Sequence, residues 1–198
     1  LEQLALEPNA LALIALFEGR IIGSLTFRCP KRPKLSRSGE FGLSVCKAWW
    51  GKGVGSALLK TLIEWAPQAA IGKIHLQVRA DNQRAIRLYS HYGFVQEAVI
   101  RHQIQIEHAY YDLLWMGLKI GDDGPSEKPV YFEEMPRGRS QQSVHIRQAR
   151  PEDAPSILAC FEEIASQTDY LSMGDEVAVT SSTELQLILS ALTNKSPN

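Results

Sequence analysis

Long apolar runs are missing from this 198-residue chain. Nothing in it approaches the roughly 20 residues that a bilayer span needs, which excludes a membrane-crossing helix. Cysteine is scarce: Cys29, Cys46 and Cys160 lie far apart and show no C-x-x-C spacing. That scattered, odd-numbered set excludes a disulfide framework or a zinc knuckle and suggests a reducing, cytoplasmic compartment. Neither sign of charge dominates, with 21 Lys+Arg against 22 Asp+Glu. A chain that coats nucleic acid by bulk charge is excluded, and no nucleic-acid or membrane partner is expected. His91, His102 and His108 have no metal-ligand spacing, so no metal is assigned. The chain opens at Leu1 without an initiator Met, a charged leader or a signal segment, which reads as a fragment, a processed chain or an engineered start.

What is present is a core-forming composition. Apolar residues make up 44% and charged residues 22%, the mix of a globular protein of about one and a half domains. Residues 11–17 (LALIALF) and 20–27 (RIIGSLTF) read as a hairpin, and 40–45 (EFGLSV) as a third strand. Residues 29–38 hold two prolines and several basic residues and read as a solvated loop. From 53 to 66, Val54, Ala57, Leu58, Leu62 and Trp65 recur at helical spacing, and Pro67 closes the helix. Residues 73–78 (KIHLQV) alternate as a half-buried strand whose polar face carries His75. Asp81 or Asn82 can cap a short helix that Gly93 ends, and 94–105 with 109–118 form a last antiparallel pair. Residues 121–142 read as a linker. A strand follows at 143–148, then a helix from Pro151 to Thr168 with Ile157, Leu158, Phe161 and Ile164 on one face, and a second helix at 184–192. Strand–helix alternation of this kind makes an α/β (α+β) sheet protein.

The stretch that carries chemistry is 40–94. A strand runs into the glycine-rich turn WWGKGVGSALL, which opens a helix. Glycines let backbone approach a ligand, and the first N–H groups of a helix are unpaired donors, so the turn is a cradle for phosphate or pyrophosphate. It is not a Walker loop, which needs Gly-Lys-Ser/Thr after a four-residue gap. It also departs from G-x-G-x-x-G, because Gly51, Gly53 and Gly55 fall at alternate positions and are followed by Leu58.

The strand EFGLSV, the turn WWGKGVGSALL, the strand KIHLQV and the segment DNQRAIRLYSHYGF together resemble the GNAT superfamily of acetyl-CoA-dependent N-acetyltransferases. The turn matches the family's Q/R-x-x-G-x-G/A coenzyme A motif at Gly53 and Gly55, with Trp50 where Gln or Arg is usual. The resemblance covers residues 11–118. It implies a mixed, mostly antiparallel central sheet flanked by helices, and acetyl-CoA as co-substrate. It also implies roles: backbone groups of Leu43 and Val45 on the pantetheine arm, Lys52, Gly53, Val54, Gly55 and Ser56 around the pyrophosphate, and Asn82 as a pantetheine hydrogen-bond partner. Tyr89 falls where the family often places the acid that protonates the departing thiolate; the alternative reading is a core aromatic at helical spacing from Ala85 and Tyr92. Glu40 falls where some members carry a base for the acceptor amine, with Glu107 and Asp112 as other carboxylates near the last hairpin. The implied activity is acetyl transfer to a primary amine of a small molecule, peptide or protein. A non-catalytic acyl-CoA sensor or interaction domain is the alternative.

The order of pieces departs from the family. A GNAT domain usually opens with a strand and two helices, and here residues 1–9 match only the end of the second helix. VHIRQARPEDAPSILACFEEIA resembles the opening strand and first helix, and ELQLILSALTNKSPN the second. The chain thus divides into a core at 1–120, a linker at 121–142 and a strand–helix–helix segment at 143–198. Three readings stay open: a circular permutation, a tandem pair truncated at both ends, and a homodimer that swaps the segment. The 22 linker residues reach about 70 Å at roughly 3.3 Å each, enough for any of them. The favoured reading is one complete fold assembled from both ends, within one chain or by swapping, with the strand of the C-terminal segment beside residues 11–17, where it would seal a bare sheet edge.

Overall fold

The computed structural model describes residues 9–30, 35, 37–121, 144–168, 170 and 182–193. Residues 1–8, residues 122–143, where all but the first residue of the expected linker at 121–142 falls, and Lys31, Arg32 and Lys34 of the basic loop lie outside the described residues. Seven strands form one sheet: β1 (Ala10–Phe17), β2 (Arg20–Arg28), β3 (Ser38–Val45), β4 (Lys73–Arg79), β5 (Val95–Ile106), β6 (Ala109–Lys119) and β7 (His145–Gln148). Their order is β5-β6-β4-β3-β2-β1-β7. Every pair is antiparallel except β3 with β4. The sheet therefore has the mixed, mostly antiparallel character expected of it.

Helices α1 (Val54–Trp65) and α2 (Gln83–His91) cover one face, and α3 (Ala154–Gln167) and α4 (Ser182–Thr193) serve the other. Alternation decides which strand residue meets which layer. Leu11, Leu13 and Ala15 of β1, Phe41 of β3 and Ile74, Leu76 and Val78 of β4 join Leu58, Leu59 and Leu62 of α1 and Tyr89 of α2 in one core. Ala12 and Ile14 of β1 with Ile21 of β2 point the other way, into a second core with Ile157, Cys160 and Ile164 of α3 and Leu185 and Leu189 of α4.

β7 pairs antiparallel with β1, Leu13 opposite Gln148 and Leu16 opposite His145. Beyond it, Asp153 accepts from Arg147 Nη1 and Nη2 at 2.7 and 2.8 Å and from the Arg150 N–H at 2.7 Å. This fork fixes the turn from β7 into α3, and it explains why Pro151–Asp153 is a 3-10 turn ahead of the helix proper. The buried stripe of α3 also differs from the sequence expectation: Ala154 and Cys160 complete it, while Leu158 and Phe161 sit half-buried on its flank. α3 packs over β2 and β3, and α4 over β1. Among the described residues no helix is long and apolar enough to cross a membrane.

Candidate active site at the splay of two strands

β3 and β4 are paired only from Ser38 with Lys73 to Glu40 with His75. Beyond that point β3 runs on to Val45 and β4 to Arg79, each held by its outer neighbour and no longer by the other. The two strands thus open a gap in the middle of the sheet. The Cys46 N–H donates to the Ile22 carbonyl at 3.0 Å. Ladder alternation then turns Ser44 and Gly42 toward β2 and leaves the backbone groups of Phe41, Leu43 and Val45 facing the gap. The backbone groups of Leu43 and Val45 therefore face the gap and hydrogen-bond with neither β2 nor β4.

The β3 end leads through the 3-10 turn Lys47–Trp49 into α1. Gly53 caps α1 in the left-handed conformation, φ +83°, and brings no side chain to satisfy the first-turn N–H groups. No acidic residue sits in that turn. Val54, Gly55 and Ser56 therefore present uncapped donors at the positive end of a twelve-residue helix, which suits an anion. Lys52 adds a cation, its Nζ 4.8 Å from the Trp49 ring centre, and the Arg84 guanidinium of α2 lies 4.7 Å from that of Trp50. A Cβ on Gly55 would come within 3.3 Å of Leu88 Cδ2 and 3.7 Å of Leu43 Cδ2, so α1, α2 and β3 meet there at close range. The Tyr92 hydroxyl donates to the Ser56 carbonyl at 3.0 Å and ties α2 to the cradle. These features fit the pyrophosphate of coenzyme A.

Trp50, the departure from the family motif, donates its indole N–H to the Val45 carbonyl at 2.7 Å. Asn82 caps α2, its Oδ1 accepting the Ala85 N–H at 3.2 Å. The cap leaves its amide NH2 as the group with which it can donate. Asp81, the other capping candidate, instead takes a bidentate pair from Arg79 at 3.1 and 2.7 Å.

Tyr89 is 7% exposed, with its ring edge-on to Phe41 at 5.6 Å and tilted to Phe94 at 6.1 Å. The core-aromatic reading is thus true of the ring. Burial pushes the phenol well above its ordinary value, keeping it protonated.

Glu40 stands on the opposite face of β3 from Phe41 and accepts Gln77 Nε2 at 3.1 Å. His75 lies beside it, stacked on Trp115 at 5.1 Å and 3.4 Å from Ser38 Oγ through Nδ1. Burial, then Lys73, lowers the His75 pKa, so the ring is neutral at pH 7. The sequence alone marks His75 as no more than a polar-face residue. Alternation could place Glu40, His75 and Gln77 on one face, but the Trp115 stack depends on the β4–β6 register. Glu107 sits at the β5–β6 turn with φ +53°. Asp112 accepts the His102 N–H at 2.9 Å across the β5 irregularity. Tyr89 and Glu40 thus flank the opening of β3 from its two faces. Among the described residues no cluster of His, Cys, Asp or Glu is placed to hold a metal.

Comparison with known proteins agrees with this geometry. Residues 1–94 match the model of the acetyltransferase (GNAT) family. The chain is 34% identical over 116 residues to the L-amino acid N-acetyltransferase AaaT of Escherichia coli (strain K12), covering 58% of this chain and 72% of that protein. The crystal structure of a GNAT-family acetyltransferase from Streptococcus pneumoniae superposes with a TM-score of 0.57 at 32% identity, covering 61% of this chain and 72% of that one. A fold match with a TM-score of 0.56 at 23% identity, over 60% and 69% of the two chains, is yncA of Salmonella typhimurium, solved with its cofactor acetyl-CoA. The chain belongs to the GNAT acetyltransferase family. It is an N-acetyltransferase, and acetyl-CoA is the family's acetyl donor.

Proposed function

We propose that this chain acetylates the primary amine of a small acceptor of the α-amino-acid class, with Tyr89 as general acid and Glu40 as general base. The observation that carries the catalytic part is their placement on opposite faces of β3 at the point where β3 and β4 part. The acceptor class rests on the 34% identical relative, which is an L-amino acid N-acetyltransferase. Acetyl-CoA supplies a thioester whose carbonyl carbon is the electrophile.

The chain's residues then divide the work. Leu43 and Val45 align the pantetheine arm through backbone hydrogen bonds, Asn82 donates to it, and Lys52 through Ser56 hold the pyrophosphate. Glu40 takes a proton from the acceptor ammonium and frees its lone pair for attack. As the C–N bond forms and the C–S bond breaks, Tyr89 gives its phenolic proton to the departing sulfur. The attacking nitrogen sheds its second proton to solvent, solvent reprotonates Tyr89, and Glu40 returns its own proton to solvent, leaving the N-acetyl amine, free CoA thiol and one released proton. His75, neutral and stacked on Trp115, holds the acceptor side of the sheet beside Glu40.

The C-terminal segment completes the family fold: β7 stands for the opening strand, and α3 and α4 for the two helices that follow it. It does so within one chain or from a second copy by swapping. The three buried thiols suit a cytoplasmic setting.

The test is thiol release from acetyl-CoA against L-amino acids, polyamines and peptide N-termini, with product masses read. Acetylated amino acids and a loss of turnover in Glu40→Gln on the order of 10²-fold are expected. Turnover with peptides or polyamines alone refutes the acceptor class, and undiminished turnover in Glu40→Gln refutes the base.

A further inference from the structure

Two thiols that the acetyl-transfer chemistry does not use meet at the junction of the sheet and the C-terminal segment. Cys46, the residue after β3, and Cys160, in the middle of α3, have their sulfurs 3.4 Å apart. They are 114 residues apart in sequence, and both are buried, at 2% and 5% exposure. The third cysteine, Cys29, is buried in the other core, under α1 and α2. A cavity of about 230 Å³ opens from the surface beside the pair, lined by Gly19, Ile21, Ala159 and Cys160, with Arg20 and Glu163 paired at its rim. It is roomy enough for a molecule little larger than water.

We propose that Cys46 and Cys160 form a reversible redox staple, a modification site that reacts with small hydroperoxides and locks α3 onto the end of β3. Cys160, which the cavity reaches, attacks one peroxide oxygen as thiolate. The O–O bond breaks, the leaving oxygen takes a proton and departs as water or alcohol, and Cys160 becomes a sulfenic acid. Cys46 then attacks the Cys160 sulfur, the S–O bond breaks, and water leaves with the proton from the Cys46 thiol. Two thiols are oxidised by two electrons to one disulfide, and the peroxide is reduced by two.

Geometry favours this pair. Closing the sulfurs from 3.4 Å to the roughly 2.05 Å of a disulfide needs only about 1.3 Å of movement, within reach of side-chain torsions. Burial raises both thiols above their ordinary value, Cys160 the more, so the thiolate is scarce, its oxidation is slow, and the pair rests as thiols until an oxidant is present in excess. The locked element lies next to the donor cradle: Cys46 directly precedes the Lys47–Trp49 turn, and the Lys47 N–H already donates to Gln167 Oε1 of α3 at 3.1 Å. A bond closing so long a stretch of chain stabilises chiefly by constraining the unfolded state.

The test treats the reduced full chain with hydrogen peroxide and maps its peptides without reduction. A Cys46–Cys160 cross-linked peptide lighter by two hydrogens is expected, together with a melting temperature raised by about 4 °C or more, both reversed by dithiothreitol. Cys29→Ser should retain the cross-link. Cys46→Ala should stop at a Cys160 sulfenic acid that dimedone traps. The same cross-link within one chain or between two supports the staple, and its type reports whether the segment docks in cis or by swapping. Oxidation of Cys29 ahead of the pair overturns the proposal, as does conversion of Cys160 to sulfinic acid with no cross-link. The wild-type peptide map decides between these outcomes even where a variant fails to fold.

Discussion

The indole N–H of Trp50 donates to the carbonyl of Val45 at 2.7 Å, tying the glycine-rich turn back onto the last residue of β3. The Arg84 guanidinium lies over the same ring at 4.7 Å, so one side chain connects strand end, turn and α2. The usual Gln or Arg at this motif position is replaced by a group that braces the cradle from within. Trp50→Phe keeps the ring under Arg84 and removes the donor. A stability loss of about 0.5–1.5 kcal/mol is expected in urea melts, with an unchanged slope. A midpoint equal to wild type would show that the hydrogen bond is idle.

At Gly55 the close approach of Leu88 and Leu43 leaves no room for a branched side chain. Gly55→Val should push α2 and β3 away from the cradle and lower CoA affinity at least tenfold by calorimetry, while the melt stays cooperative. Wild-type affinity would move the pyrophosphate elsewhere.

Tyr89→Phe preserves the contacts with Phe41 and Phe94 and deletes one proton donor. Turnover should fall by roughly 10²-fold, at the low end for lost general acid catalysis, with the KM for acetyl-CoA little changed. A raised KM at constant turnover would assign the hydroxyl to binding.

The Arg147–Asp153 fork gives a pH dependence with a defined sign. The hydrogen bonds from Arg147 hold the Asp153 carboxyl below its ordinary 3.8. The stability it contributes is therefore present above the ordinary carboxyl range and lost as pH falls through the depressed folded value. Asp153→Asn should lower the melting temperature by about 2–4 °C at pH 7, and the gap to wild type should close near pH 2. A gap of equal size at both pH values would assign the loss to packing.

Removing everything after Gly121 strips β7 from the edge of β1 and uncovers Ala12, Ile14 and Ile21. Each isoleucine gains roughly 1.5–3 kcal/mol on burial, and a bare β1 edge invites pairing between chains. The expected product aggregates or binds hydrophobic dye without a cooperative melt. A sharp melt with intact CoA binding would make residues 144–193 dispensable.

Much of the fold is legible in the sequence because it is periodic or local. The alternation of Ile74, Leu76 and Val78 marks β4, and Gly53 marks the start of α1 within a residue. What escapes depends on contacts distant in sequence. The irregularity in β5, with His102 at φ +54°, comes from extra residues on one strand that no alternation count reveals. The Trp50–Val45 bond depends on how the turn folds back, and the Cys46–Cys160 meeting on a separation that sequence spacing cannot express. At the site, motif order is enough to single out Glu40, but its neighbours His75 and Trp115 need the register.

The pairing of Ile14 with Arg147 sets the timetable of synthesis. Among the described strands, β7 is the last to be synthesised. At about 5–20 residues per second, the nascent chain then waits several seconds for α3 and α4. Throughout that interval the β1 edge and the apolar face of Ala12, Ile14 and Ile21 lack the cover that the C-terminal segment gives them. Chaperone demand should therefore concentrate in a short window late in translation, and slowing the ribosome across residues 121–143 should lower the soluble yield more than slowing it anywhere earlier.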